Sequence, residues 1–303
     1  METQLVLEKW PGVISTVTIG AKKAVKIGGE SSLPLLFKEG AIPNKPAVAF
    51  EVYDIAPSDW PEELISAYGK AVKDPFAWAE KCVNEYHAQL LCIKMQGAHP
   101  DYGNKSPEES AKFISTLLSK LSVPLIIIGS GDDLKDNLIM PVVSEAAKKE
   151  RCLIGCALQD NYKTLVGSVL ADGHSIIAES PIDINIAKQL NILISDMGLN
   201  LERIVMNPTI GALGYGLEYA YSIMERARLA ALSGDKTLAC PFICFVGQET
   251  WKTKEAKISP EQGIIWEIIT ATSLIQSGAD LLVMRHPEAI KKVSKHIEEL
   301  FSA

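Results

Sequence analysis

No apolar run in this chain of 303 residues approaches the roughly 20 residues that span a bilayer, which argues against a helical membrane protein. Clustered positive charge is also missing. The net charge is −7 and the pI about 5.4, with lysines scattered rather than massed, so a nucleic-acid surface is not expected. At the N-terminus, Glu2 and Glu8 flank only a short apolar patch, which lacks the form of a signal peptide. A cytoplasmic protein is the expectation. The six cysteines include no C-x-x-C. Cys152 and Cys156, like Cys240 and Cys244, stand four apart around expected strands, about 13 Å along a strand and too far to share one metal ion. Buried free thiols in a reducing compartment are therefore expected. No H-x-H pair follows a strand, so the common two-metal hydrolase pattern of barrel enzymes is missing.

What is present is rhythm. Eight short apolar runs recur: Val48–Val52, Leu90–Met95, Leu125–Ile128, Cys152–Leu158, Ser175–Ala178, Ile204–Met206, Phe242–Val246 and Leu281–Met284. Each is bounded by turn residues and followed by a helix-like stretch, the pattern of parallel strands buried on both faces. Eight β-α units in roughly 260 residues predict a closed (β/α)8 TIM barrel over residues 47–303. Ser106-Pro107 and Ser259-Pro260, each with Glu or Gln completing a capping box, and Asp74-Pro75 mark helix starts in register with this reading.

Residues 1–30 break the rhythm. Leu5–Leu7, Val13–Ile19 and Ala24–Ile27 look like short antiparallel strands, predicting a β-hairpin extension that closes the bottom of the barrel, with residues 31–46 as the connection.

In such a barrel chemistry sits on the loops leaving the C-terminal ends of the strands. There the polar groups are mostly neutral: Gln96, Gln159, Asn161, Asn207, Thr209, Gln248 and Thr250. Amides orient a bound molecule without moving protons. Asp54, Asp160, Glu179 and Glu249 could act as acids or bases, but no histidine partner or metal set completes a triad. His174 precedes the fifth strand and belongs to the bottom. His286, between Arg285 and Pro287, reads as helix-start structure, and His99 as either loop structure or ligand contact. Lys94 and Glu51 lie inside apolar runs, with Arg285 ending the last. An interior Lys94–Glu51 ion pair is expected, because an unpaired buried charge is costly. A Schiff-base lysine is the alternative, although the loops after the last two strands offer little for a substrate phosphate. The loop Gly211–Gly216 is glycine-rich and apolar; it would either lay backbone against a flat ligand or serve as a flexible lead into the next helix.

This segment, Asn207-Pro-Thr-Ile-Gly-Ala-Leu-Gly-Tyr-Gly-Leu-Glu-Tyr219 running on to Glu225-Arg-Ala-Arg-Leu-Ala-Ala231, resembles the small subunit of the corrinoid iron–sulfur protein of the reductive acetyl-CoA pathway. It is similar also to the methanogen counterpart, the delta subunit of acetyl-CoA decarbonylase/synthase. The resemblance covers essentially the whole chain, including Asp54, Met95-Gln96-Gly97 and Gln248-Glu-Thr-Trp251.

The resemblance implies a barrel in a heterodimer with a larger subunit that carries a [4Fe-4S] cluster and most of the corrinoid-binding fold. The corrinoid (cobamide) would be shared, its upper face covered by this barrel. Its cobalt would be methylated by a methyltetrahydrofolate–corrinoid methyltransferase and would pass the methyl to acetyl-CoA synthase. The chain would then be a methyl-carrier subunit without catalytic or metal-ligating residues of its own. In agreement, the corrinoid signature D-x-H-x-x-G is absent; Asp172-Gly-His174-Ser-Ile-Ile177 has Ile in place of the last Gly and lies at the wrong end. A corrin is a broad apolar face edged with amides, which calls for close backbone approach and amide hydrogen bonds. The residues expected to meet it are Gln96, Asn207, Thr209, Gly211, Ala212, Leu213, Gly214, Tyr215, Gly216 and Gln248. The competing reading is an enzyme, a methyltetrahydrofolate–corrinoid methyltransferase holding a pterin with Asp54, Asp160 and Asn207.

Overall fold

Helices separate eight parallel strands that close on themselves, as the apolar rhythm predicts. The computed structural model describes residues 6–301. Two short strands come first, β1 (Val17–Ile19) and β2 (Val25–Ile27), paired antiparallel. The barrel strands are β3 (Ala47–Tyr53), β4 (Leu91–Lys94), β5 (Leu125–Ile128), β6 (Leu153–Ala157), β7 (Ser175–Glu179), β8 (Ile204–Asn207), β9 (Phe242–Cys244) and β10 (Ala279–Met284). Neighbours pair in sequence order, and β10 closes the ring against β3. Between and after them run α1 (Glu62–Tyr68), α2 (Pro75–Asn84), α3 (Pro107–Lys120), α4 (Asp133–Ala146), α5 (Tyr162–Asp172), α6 (Ile184–Asp196), α7 (Leu217–Leu232), α8 (Val246–Thr250), α9 (Pro260–Ser277) and α10 (Pro287–Leu300).

The helix starts follow local chemistry. Ser106 and Glu109 form a full capping box at α3, Ser259 Oγ accepts from the Gln262 amide at α9, and Asp74 Oδ1 accepts from Phe76 at α2. One boundary departs from the sequence reading. The seventh run continues as an apolar stretch through Val246, but the strand stops at Cys244 and Val246 begins α8, so Gln248 stands on a short helix rather than a loop.

Alternation along the strands divides the core in two. Ala49, Cys92, Ile126, Leu153, Ile177, Val205, Ile243, Leu281 and Val283 fill the barrel interior, while their neighbours pack outward on the helices. Val17, Ile19 and Ile27 of the hairpin belong to the interior group. The hairpin thus adds its side chains to the apolar interior. Each of these side chains contributes about 1.5–3 kcal/mol by burial. Backbone bonds fasten it to segments that precede barrel strands: Gly20 N–H to Arg151 O and Ser15 N–H to Ala239 O, both 2.8 Å. The expected strand Leu5–Leu7 is not formed at Val6 and Leu7, and Leu5 lies outside the described residues. Within Val13–Ile19 only residues 17–19 are strand.

Below the barrel, Arg228 of α7 is buried between two carboxylates, Glu30 at 3.2 Å and Asp280 at 2.9 Å, and also donates to Gly278 O. This network ties the segment after the hairpin to the start of β10. All six cysteines are free, and burial pushes their thiols up, Cys152 and Cys240 to about 12. Among the described residues no helix is long and apolar enough to cross a membrane, and no group of three His, Cys, Asp or Glu side chains is arranged to hold a metal.

Candidate functional site

The inward parity that buries Ala49, Val283, Ile177 and Val205 continues to Glu51, Arg285, Glu179 and Asn207 at the open end. There the apolar interior gives way to polar groups. Met284 lies opposite Phe50, so the next step sets Arg285 beside Glu51. The guanidinium Nε donates to Glu51 Oε2 at 2.5 Å, Gln248 Nε2 donates to Oε1 at 2.6 Å, and Arg285 Nη2 donates to Tyr53 Oη at 2.7 Å. Arg285 also lies over the rings of Trp60 and Tyr53, 4.8 and 5.6 Å from their centroids. Trp60 packs in turn on Trp78 and Tyr68.

The Lys94–Glu51 pair expected from the sequence is not made. Register explains it: Glu51 lies opposite Cys92, whereas Lys94 lies opposite Tyr53, two residues nearer the mouth. Arg285 takes the carboxylate, and the Lys94 ammonium sits 5.2 Å from the Tyr53 ring centroid. Burial lowers the Lys94 pKa, an effect that Glu51 opposes.

Asp54 is fully engaged by its own fold. Oδ1 accepts from Gly97 N–H at 2.6 Å and Oδ2 meets Lys105 Nζ at 3.0 Å, tying the loop after β3 to the loop after β4. In that second loop Gln96 is buried, and its Oε1 has no hydrogen-bond partner. His99 supports its own loop: Nδ1 accepts from the Asp101 amide and its carbonyl from Tyr102, Gly103 and Asn104. His286 caps α10 through Nδ1 and stacks on Trp251; burial lowers its pKa to about 4. His174 lies at the bottom as expected, accepting from Cys152 N–H and bonded to Ser144 O. Asp160 is exposed.

Asn207 bridges two elements. Its Nδ2 donates to Glu179 Oε2 at 2.9 Å, and its Oδ1 accepts from Thr209 N–H at 3.1 Å. Thr209 holds φ +54° and donates its hydroxyl to Ser180 O. This side-chain turn fixes the direction in which the glycine loop leaves β8. At Gly211 a Cβ would come within 2.2 Å of Tyr215 O, so only glycine fits. The loop then divides. Ala212 is buried, and Leu213 leans on α9, its amide donating to Thr270 Oγ1 and its carbonyl accepting from Trp266 Nε1. Gly214 at φ +80°, half-exposed Tyr215 and Gly216 at φ +97° form the outer part, with Tyr215 Oη donating to Glu255. The ten candidate residues thus fall into three places: Gln96 beside the Asp54 tie, Gln248 on Glu51, and Asn207, Thr209 and Gly211–Gly216 along the exit of β8.

Two features escaped sequence reasoning. The aromatic bed under Arg285 left a trace, since Tyr53, Trp60, Tyr68 and Trp78 are dense in that stretch. Glu267 left none. Fully buried on α9, it accepts from Arg285 N–H at 2.6 Å, His286 N–H at 3.1 Å and Trp251 Nε1 at 3.0 Å, and burial raises its pKa to about 7.

Residues 16–295 match the family model described as CO dehydrogenase/acetyl-CoA synthase delta subunit. The chain belongs to this family. Among curated relatives it is 36% identical to the acetyl-CoA decarbonylase/synthase complex subunit delta of Methanothermobacter thermautotrophicus, over 98% of this chain and 78% of that protein. To the subunit of the same name in Methanocaldococcus jannaschii it is 34% identical, over 95% and 74%. Among solved structures, dihydropteroate synthase of Xanthomonas albilineans in complex with indole-2-carboxylic acid and 6-chloroguanine superposes with a TM-score of 0.62 at 13% identity, covering 95% of this chain and 98% of that one. The pteroic acid complex of the Coxiella burnetii enzyme gives 0.61 at 12%, covering 95% and 100%. At such identities these neighbours establish the TIM-barrel fold alone.

Proposed function

We propose that this delta-family chain is the corrinoid-binding small subunit of a heterodimeric methyl carrier, covering the upper face of a cobamide held mainly by a larger subunit that also carries the [4Fe-4S] cluster. When bound, the cobamide supplies a cobalt that accepts a methyl group originating from methyltetrahydrofolate and releases it toward acetyl-CoA synthase.

The observation that carries this reading is the engagement of the inward-facing carboxylates at the mouth. Asp54 and Glu51 each have both oxygens engaged by the protein, and Glu179 holds Asn207. Groups so committed are poor proton shuttles. The cobamide fits what remains. Gln96 Oε1 is a buried acceptor without a donor, suited to a corrin side-chain amide, and Gly214–Gly216 offer outward-facing backbone at the exit of β8. His99 gives Nδ1 to its own loop, and the barrel's part would be to orient the cobamide and to exclude water.

Co-expression with the larger subunit tests this. The heterodimer should retain cobamide, and the isolated chain should not turn over methyltetrahydrofolate with free cobalamin. Turnover by the isolated chain would instead establish the second reading, a methyltetrahydrofolate–corrinoid methyltransferase. The Glu179–Asn207 pair favours that reading, being an acid and an amide side by side, as the edge of a pterin requires. The engagement of Asp54 opposes it.

A further inference from the structure

A helix that is apolar all round is normally covered all round. In this chain α9 carries almost no charge and exposes isoleucines, beside Gln262, Thr272, Ser273 and Gln276, on an outer side that nothing covers. Beyond Glu261 its single charge is Glu267, which points inward to Trp251 and the Arg285 and His286 amides. The outer side carries Ile264, Ile265, Ile268, Ile269, Thr272 and Gln276 without one ionic group. Ile265 is 46% exposed and Ile269 38%. Directly before the helix Ile258 is 72% exposed, and on neighbouring α7 Tyr219 is 61% and Leu229 37% exposed. The adjacent helix α10 shows what this chain does with a face meant for water. There Glu288, Lys291, Lys292, Lys295 and Glu299 face outward while Ile290, Val293 and Ile297 are buried.

We propose that the outer face of α9, extended by Ile258 and by Tyr219 and Leu229 of α7, is the seat of the larger, cobamide-carrying subunit. This rests on the proposed heterodimer and adds where it is made. From Glu261 to Gln276 the helix presents a strip about 24 Å long and about 10 Å wide. A stable interface covers roughly 800 Å² per partner, so the partner also rests on α7, where Glu225 and Arg226 supply a polar rim. The seated face must be uncharged and aliphatic, because any ionic group brought against these isoleucines would lose its water without gaining a counter-charge. Two observations favour a different subunit over a second copy. The relatives that align over most of this chain are named as subunits of a complex. A second copy would also bring the same net charge of −7 against itself, whereas a different chain need not.

The test uses the full chain and the larger subunit, purified together and mixed, with light scattering and cobamide absorption as readouts. The wild-type chain should form a one-to-one complex that persists from about 0.1 to 1 M salt, as expected where the contact is mainly apolar and only its rim is charged. Ile265→Glu with Ile269→Glu should leave the melting temperature of the free chain unchanged and weaken the complex by roughly 100-fold. Lys291→Glu with Lys292→Glu on α10 should bind as wild type. A double isoleucine variant that still forms the complex and retains cobamide would overturn this inference and leave the proposed function standing. A wild-type chain that pairs with itself through α9 and leaves the larger subunit unaffected by the substitution would overturn it in favour of a second copy. No complex between the wild-type subunits would overturn both.

Discussion

Two buried arginines, one at each end of the barrel, are kept in different company. Arg228 at the bottom lies between two carboxylates, Glu30 and Asp280. Arg285 at the mouth has one, Glu51, and completes its shell with Tyr53 Oη and the faces of Tyr53 and Trp60, while Lys94 stands nearby with no carboxylate in contact. The bottom is thus short of a positive charge and makes up the balance with a proton: burial, and then Asp280, raise the Glu30 pKa to about 8. At the mouth Arg285 touches a single carboxylate, and aromatic faces complete its surroundings. The same residue type serves as a pH-sensitive clasp in one place and as a fixed pillar in the other.

The comparison can be broken most directly at the mouth. Arg285→Met leaves Glu51 buried without its counter-ion and should cost about 3–5 kcal/mol in urea unfolding. Adding Glu51→Gln should restore part of that loss, as coupled partners do. A loss under about 1 kcal/mol would show that Arg285 is no pillar.

At the bottom the signature is pH. Glu30 has a folded pKa near 8 against its ordinary 4.5, so the folded chain holds a proton that the unfolded chain gives up. The stability this provides is fully present below about 4.5 and is lost as pH rises through about 8. Glu267, raised to about 7, adds a dependence of the same sign over a narrower range. Melting curves from pH 5 to 9 should therefore flatten in Glu30→Gln relative to wild type; parallel curves would remove the shared proton from the account.

Smaller effects are expected at the rim. Gly214 holds φ +80°, where a side chain is strained by about 1–2 kcal/mol, and Gly214→Val should also weaken cobamide retention in the heterodimer. Smallest of all, Lys94→Met should change stability by less than about 1 kcal/mol, because no ion pair is broken. His99→Ala should leave the cobalt absorption spectrum where it was; a shift would mean that this histidine ligates the metal.

The eight strands were legible because burial on both faces leaves unbroken β-branched runs, and the helix starts because capping serines and prolines act within a few residues of themselves. What stayed hidden depends on neighbours distant in sequence. Glu51, Lys94 and Arg285 each stood out as charges in apolar runs, but which two would meet is decided by the stagger of β10 against β3, and no local pattern records stagger. The run from Phe242 to Val246 stays apolar while the backbone changes from strand to helix, so hydropathy could not mark the turn that carries Gln248. Glycines at 211, 214 and 216 announced an unusual loop, but the side that faces outward is set by Thr270 and Trp266, more than fifty residues away.

The hairpin beneath the barrel has a consequence for traffic. With side chains filling the interior and the hairpin lying against the other end, the barrel offers a single polar rim. On the proposed reading, the enzyme that delivers a methyl group and the enzyme that collects it must both reach the cobalt over that rim, and two proteins cannot stand there together. Each would then be a competitor of the other, and an excess of either should slow the relay. Throughput should peak at an intermediate ratio of the two partners, as it does wherever delivery and collection queue at one door.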